Sequence, residues 1–265
     1  MPKTLLFIPM YNCEKQIVRV LAQLSGEICD WLDQVIVVNN CSTDDGEPAV
    51  MRYLADTPPA VPVRLLRNRE NYGLGGSHKV AFQYALDNGF DRVIVLHGDD
   101  QGRIADLLPV LRDGRCDEYD CCLGARFMRG STLPGYSRFR IFGNRVYNVL
   151  FSIVCGRPIR DLGSGLNLYS TAALKSRYWA RYADNLTFNC HMLMALRLYG
   201  QKALFFPISW REEDQVSNVK MFRQATRTVG MLLRFLFCGK RYLEGELREK
   251  PVAAYLTDTV YIAGE

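Results

Sequence analysis

Arg92-Val93-Ile94-Val95-Leu96-His97-Gly98-Asp99-Asp100-Gln101 is an apolar strand that runs directly into a histidine and two carboxylates. Acidic residues at the carboxyl end of a buried strand are costly unless they bind something, and in open α/β sheets that edge is where ligands sit. In extended chain His97 and Asp99 point to one side and Asp100 to the other, so His97 and Asp99 are the pair that can share a ligand. A divalent cation holding a diphosphate is the expected occupant. Ligation by the His97 nitrogen would move the preference from Mg²⁺ toward Mn²⁺. A turn and helix cap is the alternative reading of Asp-Asp-Gln-Gly, and His97 reads equally as a structural histidine.

Working outward, short β-branched runs alternate with helical patterns through the first half. Thr4–Ile8, Gln34–Val38, Val63–Leu66 and Arg92–Leu96 predict strands, each followed by a helix: from Glu14, near Pro48–Ala55, over Ser77–Asn88 and over Ile104–Leu111. That alternation predicts βαβ units and a mostly parallel sheet flanked by helices. In the second half Tyr119–Leu123, Leu166–Tyr169 and Ala203–Ile208 read as strands. Arg138–Cys155, Asn185–Tyr199 and Ser217–Cys238 read as helices, the first with Ile141, Phe142, Val146, Val149, Leu150 and Ile153 on its apolar face. The tail after Gly239 carries no clear periodicity.

The 265 residues are enough for one sizeable core, and 48% hydrophobic with 23% charged residues is an ordinary globular balance. A net charge of +5 suits an anionic ligand or an anionic membrane surface, and equally a solvated surface with no partner. No nucleic-acid partner is expected. Nine scattered cysteines form no C-x-x-C pair and no zinc spacing, so they read as reduced thiols of a cytoplasmic protein. Met1 leads straight into a strand without a signal-peptide pattern, and no apolar run approaches the roughly 18 to 20 residues of a spanning helix.

Several polar segments stand at strand ends. Pro9-Met10-Tyr11-Asn12-Cys13-Glu14 closes the first strand and Asn39-Asn40-Cys41-Ser42-Thr43-Asp44 the second. Helix capping and Asx turns explain them singly; together they place planar hydrogen-bonding side chains where a nucleobase could be bracketed. Asn71-Tyr72-Gly73-Leu74-Gly75-Gly76-Ser77 opens a helix after the third strand, a place that suits a phosphate. It is no dinucleotide fingerprint, because His78 stands where the last glycine would fall, and no P-loop is present. Gly124-Ala125-Arg126, Asp161-Leu162-Gly163-Ser164-Gly165 and Arg211 with Ser217-Asn218-Val219-Lys220 complete the set. Arg126, Arg211 and Lys220 are charges that could clamp phosphates, or partners in surface salt bridges.

In this order the segments resemble the inverting nucleotide-sugar glycosyltransferases of family 2, with the Rossmann-like GT-A fold, over about Thr4 to Lys220. Pro9 to Asn12 is similar to the family's P-x-Y-N, Asn39 to Asp44 stands at its D-D-G-S-x-D, Asn71 to Ser77 at N-x-G-x-G-x-A, and Leu96 to Gln101 at D-A-D-L-Q. The resemblance implies donor contacts by Pro9, Tyr11, Asn12, Glu14, Asn39, Asn40, Gly75, Gly98 and Arg126, and a divalent metal, Mn²⁺ or Mg²⁺, on Asp99 with His97 in place of the family's first Asp. Gly124 to Arg126 resembles G-S-R. The segments at Asp161 and from Arg211 to Lys220 resemble those of the polyprenyl-phosphate sugar synthases. That branch implies a polyprenyl phosphate acceptor at Ser164, Arg211, Ser217 and Lys220, with Asp99, Asp161 and Arg211 as the catalytic set.

No E-D pair supplies a clear general base and the Q-x-x-R-W motif of processive synthases is missing; a lipid phosphate is already anionic and would need no base. Asn39 and Asn40 replace two acids, and Asn both donates and accepts hydrogen bonds where ionised Asp only accepts. A transferase with a glycan or other non-lipid acceptor, and a non-catalytic nucleotide-sugar-binding descendant, are the alternatives. A sugar-1-phosphate nucleotidyltransferase would need a glycine-rich basic loop after the first strand, which Pro9 to Glu14 does not supply. The division expected is a transferase domain over 1–218 and a C-terminal helix and tail over 219–265. That basic amphipathic helix either packs on the core or lies peripherally on the cytoplasmic face of a membrane.

Overall fold

The strand patterns assemble into a single sheet in a computed structural model that describes residues 1–212 and 221–264. Strands β1 (Thr4–Met10), β2 (Gln34–Asn39), β3 (Val63–Asn68), β4 (Arg92–Leu96), β5 (Cys121–Ala125), β6 (Leu166–Ser170), β7 (Ala203–Pro207) and β8 (Thr257–Ala263) lie in the order β7-β5-β6-β4-β1-β2-β3-β8. β1 pairs in parallel with both β2 and β4, β2 with β3, and β5 with β7; β6 and β8 run antiparallel to their neighbours.

Alternate residues of the central strands feed two cores, one on each face of the sheet. Leu5, Phe7, Ile36, Val38, Val93 and Val95 face one cluster; Leu6, Ile8, Val35, Val37, Ile94 and Leu96 face the other. Burial on both faces is why these strands read as continuous apolar runs. The helices that cover them include α1 (Glu14–Ala22), α2 (Gly46–Asp56), α3 (Gly73–Asp87), α4 (Leu108–Arg112), α5 (Arg138–Cys155), α6 (Thr171–Leu174), α7 (Phe188–Leu198), α8 (Met221–Cys238) and α9 (Lys240–Leu243).

Three features differ from the sequence expectation. Ile104–Leu111 is not one α-helix: Ile104–Leu107 is 3₁₀ and α4 begins at Leu108, with Pro109 in its first turn. The unassigned tail supplies β8, which closes the β3 edge; Arg69 reaches Asp258 at 2.8 Å across that pair. On α5, Asn148, Phe151, Val154 and Cys155 are the buried residues, while Phe142, Val146, Val149, Leu150 and Ile153 of the expected apolar face are exposed.

Candidate active site

The chain order reverses around β1, whose carboxyl end lies between those of β2 and β4, and the polar segments gather at this edge. Gly98 lets the β4 end close on β1: its N–H donates to the Pro9 carbonyl at 3.1 Å, and a Cβ there would meet that oxygen at 2.8 Å. Asp99 follows, accepting the Gln101 N–H at 3.2 Å, and burial raises its carboxyl to about 6. Asp100 adopts φ +57°, a left-handed conformation that Asp tolerates better than most residues. Its Oδ2 accepts Arg19 Nε at 2.6 Å and Arg211 Nη2 at 2.5 Å, and its Oδ1 accepts Gln23 Nε2 at 3.1 Å. The two neighbouring carboxylates therefore differ in kind: Asp100 is a buried tie between α1 and the segment after β7, and Asp99 is a half-buried acid at the strand end.

The His97 N–H donates to Gly165 O at 2.9 Å, and the ring lies edge-on to His78 with centroids 6.1 Å apart. Burial, helped by the Arg126 charge, lowers its pKa to about 4, and its Nε2 is buried without a hydrogen-bond partner. Among the described residues no three His, Cys, Asp or Glu side chains gather to hold a metal. A cation here would take one hard oxygen from Asp99, whose burial makes its negative charge costly, and most of its ligands from a diphosphate and water, as a divalent ion on a nucleotide commonly does. The donor set fits that arrangement.

The nucleoside-side residues are tied to one another. Asn12, at φ +49°, accepts the Thr43 N–H at 2.8 Å, and its own N–H donates to Ser42 Oγ at 3.1 Å. Glu14 N–H donates to Asp44 at 2.8 Å, joining the start of α1 to the β2 loop. Asn39 donates to Glu47 at 2.8 Å and accepts the Ser42 N–H at 2.9 Å. Asn40 accepts from Tyr72 N and Asn68 Nδ2, both at 2.9 Å, and donates to Asn71 at 2.8 Å. Arg67 pairs with Glu47 and holds its carboxyl below the usual range. Tyr11 is exposed.

The glycine-rich loop binds protein instead of offering free amides. Gly75 and Gly76 donate their N–H groups to Asp184 O at 2.7 and 3.3 Å, and a Cβ on Gly75 would meet Ala183 O at 2.4 Å. The expected role of Gly75 at the donor phosphate is therefore not available to its N–H in this conformation. Beneath the loop Lys79 is fully buried, bonded to Tyr182 O, to Asp184 at 2.7 Å and to the Tyr255 hydroxyl at 3.1 Å; burial lowers its pKa to about 8.

Across the edge, Arg126 and Asp161 engage each other. Asp161 Oδ2 accepts the Arg126 N–H and Nε, and Oδ1 accepts Nη2, all at 2.8 Å, with the Gly163 N–H at 3.1 Å as a fourth donor. Ser164 donates to Leu166 O at 3.1 Å. The Arg211 side chain is 39% exposed and stands at the rim beside Asp100. Ser217 and Lys220 lie outside the described residues. Sequence reading missed Arg19 on α1 and Gln23 just after it, which lie four residues apart and carry no motif that links them to Asp100, 81 and 77 positions away.

The sequence pattern described as Glycosyl transferase family 2 matches residues 6–177. Polyprenol monophosphomannose synthase of Mycolicibacterium smegmatis is 23% identical over 65% of this chain and 63% of its own length. Undecaprenyl-phosphate mannosyltransferase of Micrococcus luteus is 23% identical over 80% of this chain and 85% of its own. Among solved structures, glucosyl-3-phosphoglycerate synthase of Mycobacterium tuberculosis in complex with Mn²⁺, UDP and phosphoglyceric acid superposes with a TM-score of 0.60, covering 90% of this chain and 79% of that one at 14% identity. That likeness shows the GT-A-type fold.

Proposed function

The chain belongs to glycosyl transferase family 2, and on that premise we propose that this glycosyltransferase moves a sugar from a nucleoside-diphosphate sugar, with inversion, to the phosphate of a polyprenyl phosphate. The names of the two 23%-identical relatives support the lipid acceptor. The observation that carries the reading is how the strand-edge acids are engaged. Both oxygens of Asp100 and of Asp161 already accept hydrogen bonds from arginine, glutamine or backbone donors, so neither is poised to take a proton from an acceptor hydroxyl. A phosphate acceptor carries its own charge and needs no such base.

In this reading Asp99 holds the divalent metal on the donor diphosphate, with the neutral His97 ring beside it. When bound, the metal supplies charge neutralisation for the departing nucleoside diphosphate. Tyr11, Asn12, Asn39 and Asn40 frame the nucleoside, and the Asn39 and Asn40 network fixes the loop after β2 against α2 and the Tyr72 backbone. Gly98 keeps the β4 end close to β1, so that diphosphate and nucleoside are held on one rigid edge. Arg211 orients the acceptor phosphate at the rim; Ser164 is assigned to the acceptor as well, as are Ser217 and Lys220, which lie outside the described residues. Arg126 and Asp161 act on each other, bracing the loop that bears Ser164. A new bond forms between the acceptor phosphate oxygen and the anomeric carbon as the bond from that carbon to the diphosphate breaks in line. We assign this chemistry to residues 1–218 together with Lys220, while α8, α9 and β8 complete the helical face and the sheet edge.

The test is a panel of UDP- and GDP-sugars incubated with polyprenyl phosphate, with and without chelator, scored for lipid-linked sugar. Metal-dependent product with one donor supports the reading. Glycosylation of soluble acceptors alone would assign the enzyme to another acceptor class.

A further inference from the structure

Helix α5 carries two apolar faces. Asn148, Phe151 and Cys155 face the core, whereas Phe139, Phe142, Val146, Val149, Leu150 and Ile153 are exposed, Phe139 at 76% and Ile153 at 70%. At 3.6 residues per turn those six fall within an arc of about 100° on the side opposite Phe151. α8 packs against α5 and adds exposed Leu233, Leu236 and Phe237, the last 82% exposed. Monomeric proteins seldom leave a contiguous apolar surface of this size to water.

The charge pattern selects the partner. α5 and α8 contain three arginines each and not one Asp or Glu, in a chain that has 28 acids elsewhere. Arg138 and Arg145 flank the outer stripe of α5, are exposed, and have no ion-pair partner among the described residues. Arg140 and Arg227 are paired with acids of other segments, Glu212 and Glu249, but the unpaired Arg138 and Arg145 leave one border of the apolar stripe positive, which repels a second copy of itself and complements an extended anionic surface. Phe139, Phe142 and Phe237 have the amphipathic surroundings of side chains that sink to the headgroup and acyl boundary. Among the described residues no helix is long and apolar enough to cross a membrane.

We propose that the outer face of α5, extended by α8, docks this protein on an anionic lipid leaflet. The surface begins at the catalytic rim: α5 starts at Arg138, and Arg140 pairs with Glu212 at 2.5 Å, one residue beyond Arg211. Docking therefore brings the leaflet to the side of the cleft where Arg211 stands. The orientation rests on the lipid-phosphate reading above, while the docking itself does not depend on which acceptor is used.

The experiment is co-sedimentation of the full chain with phosphatidylcholine vesicles containing or lacking phosphatidylglycerol, beside sedimentation velocity without lipid. The wild type is expected to bind the anionic vesicles, less so at high salt. F142E/I153E is expected to weaken binding at least about 10-fold, and R138E/R145E about 30-fold or more, with melting temperatures unchanged because all four side chains are exposed. No vesicle binding, binding that neither variant alters, or a lipid-free dimer that F142E/I153E dissociates would each overturn the proposal, the last by making a second copy the occupant. Transfer to a short-chain, detergent-dispersed polyprenyl phosphate separates the two readings. Transfer without vesicle binding removes only the docking, and vesicle binding without lipid-linked product from any donor removes only the acceptor.

Discussion

Asp99 and Asp100 are adjacent acids in different surroundings, and exchanging each for its amide separates the roles proposed for them. Asp100→Asn keeps the shape and tolerates φ +57°, so it isolates the charge. Two guanidinium hydrogen bonds converge on Oδ2, each worth about 1.5 kcal/mol in a buried setting. Arg19 and Arg211 are 46% and 39% exposed, so solvent compensates part of the loss, and about 2 kcal/mol in total is expected. With about 2.1 cal/mol/K of unfolding entropy per residue, 265 residues give about 0.55 kcal/mol/K, and the melting temperature falls by about 4 °C. Turnover should survive with a raised acceptor KM, because Arg211 loses its anchor. Asp99→Asn removes a charge that burial disfavours, so its melting temperature stays level or rises, while kcat/KM falls at least about 100-fold. Differential scanning fluorimetry and steady-state transfer read both quantities. An Asp100→Asn protein that melts normally but is inactive, beside an Asp99→Asn protein that is unstable but active, would refute the assignment.

Three further outcomes follow from other contacts. His191 is buried neutral with its pKa lowered to about 4, facing Lys79, Tyr182 and Tyr242; the unfolded chain takes up the proton first, so its contribution to stability is intact above about pH 6.5 and lost progressively toward pH 4, by at most about 3 kcal/mol. His191→Gln should flatten urea-unfolding stability over that window, and an unchanged pH dependence would count against it. Tyr255→Phe removes the hydroxyl that donates to Asp184 at 2.6 Å and accepts from Lys79, and should cost about 1 to 2 kcal/mol by urea unfolding; no loss would mean the tail does not brace the glycine-rich loop. His97→Ala should lower the ratio of Mn²⁺- to Mg²⁺-supported activity if Nε2 reaches the metal, and an unchanged ratio would leave His97 as a packing residue.

The alternation of strands and helices was legible because β1 to β4 are buried on both faces and their apolar runs have no other use. Arg138–Cys155 was bounded correctly by its periodicity, yet periodicity reports that a helix has apolar faces and not which one meets the core. On α5 the narrower face of Asn148, Phe151 and Cys155 won. β8 was missed because an edge strand with one wet face alternates Thr, Asp and Tyr with Val and Ile, and its partner β3 lies some 190 positions earlier. At the site, Asp99 could be picked out by its place at a strand end. The ties that separate it from Asp100 come from Arg19, Gln23 and Arg211, and those that occupy Gly75 and Gly76 come from Asp184. Such contacts span 77 to 111 positions and leave no local pattern.

We assign the β4 terminus to the donor diphosphate, held through a cation on Asp99. Titration calorimetry of UDP and GDP, each with and without Mn²⁺, on the wild type and on Asp99→Asn tests it most directly. Binding of one nucleotide that tightens at least about 10-fold with Mn²⁺ in the wild type, and no longer responds to Mn²⁺ in the variant, is the expected result. Nucleotide binding that is indifferent to Mn²⁺, or equally responsive in Asp99→Asn, would contradict it.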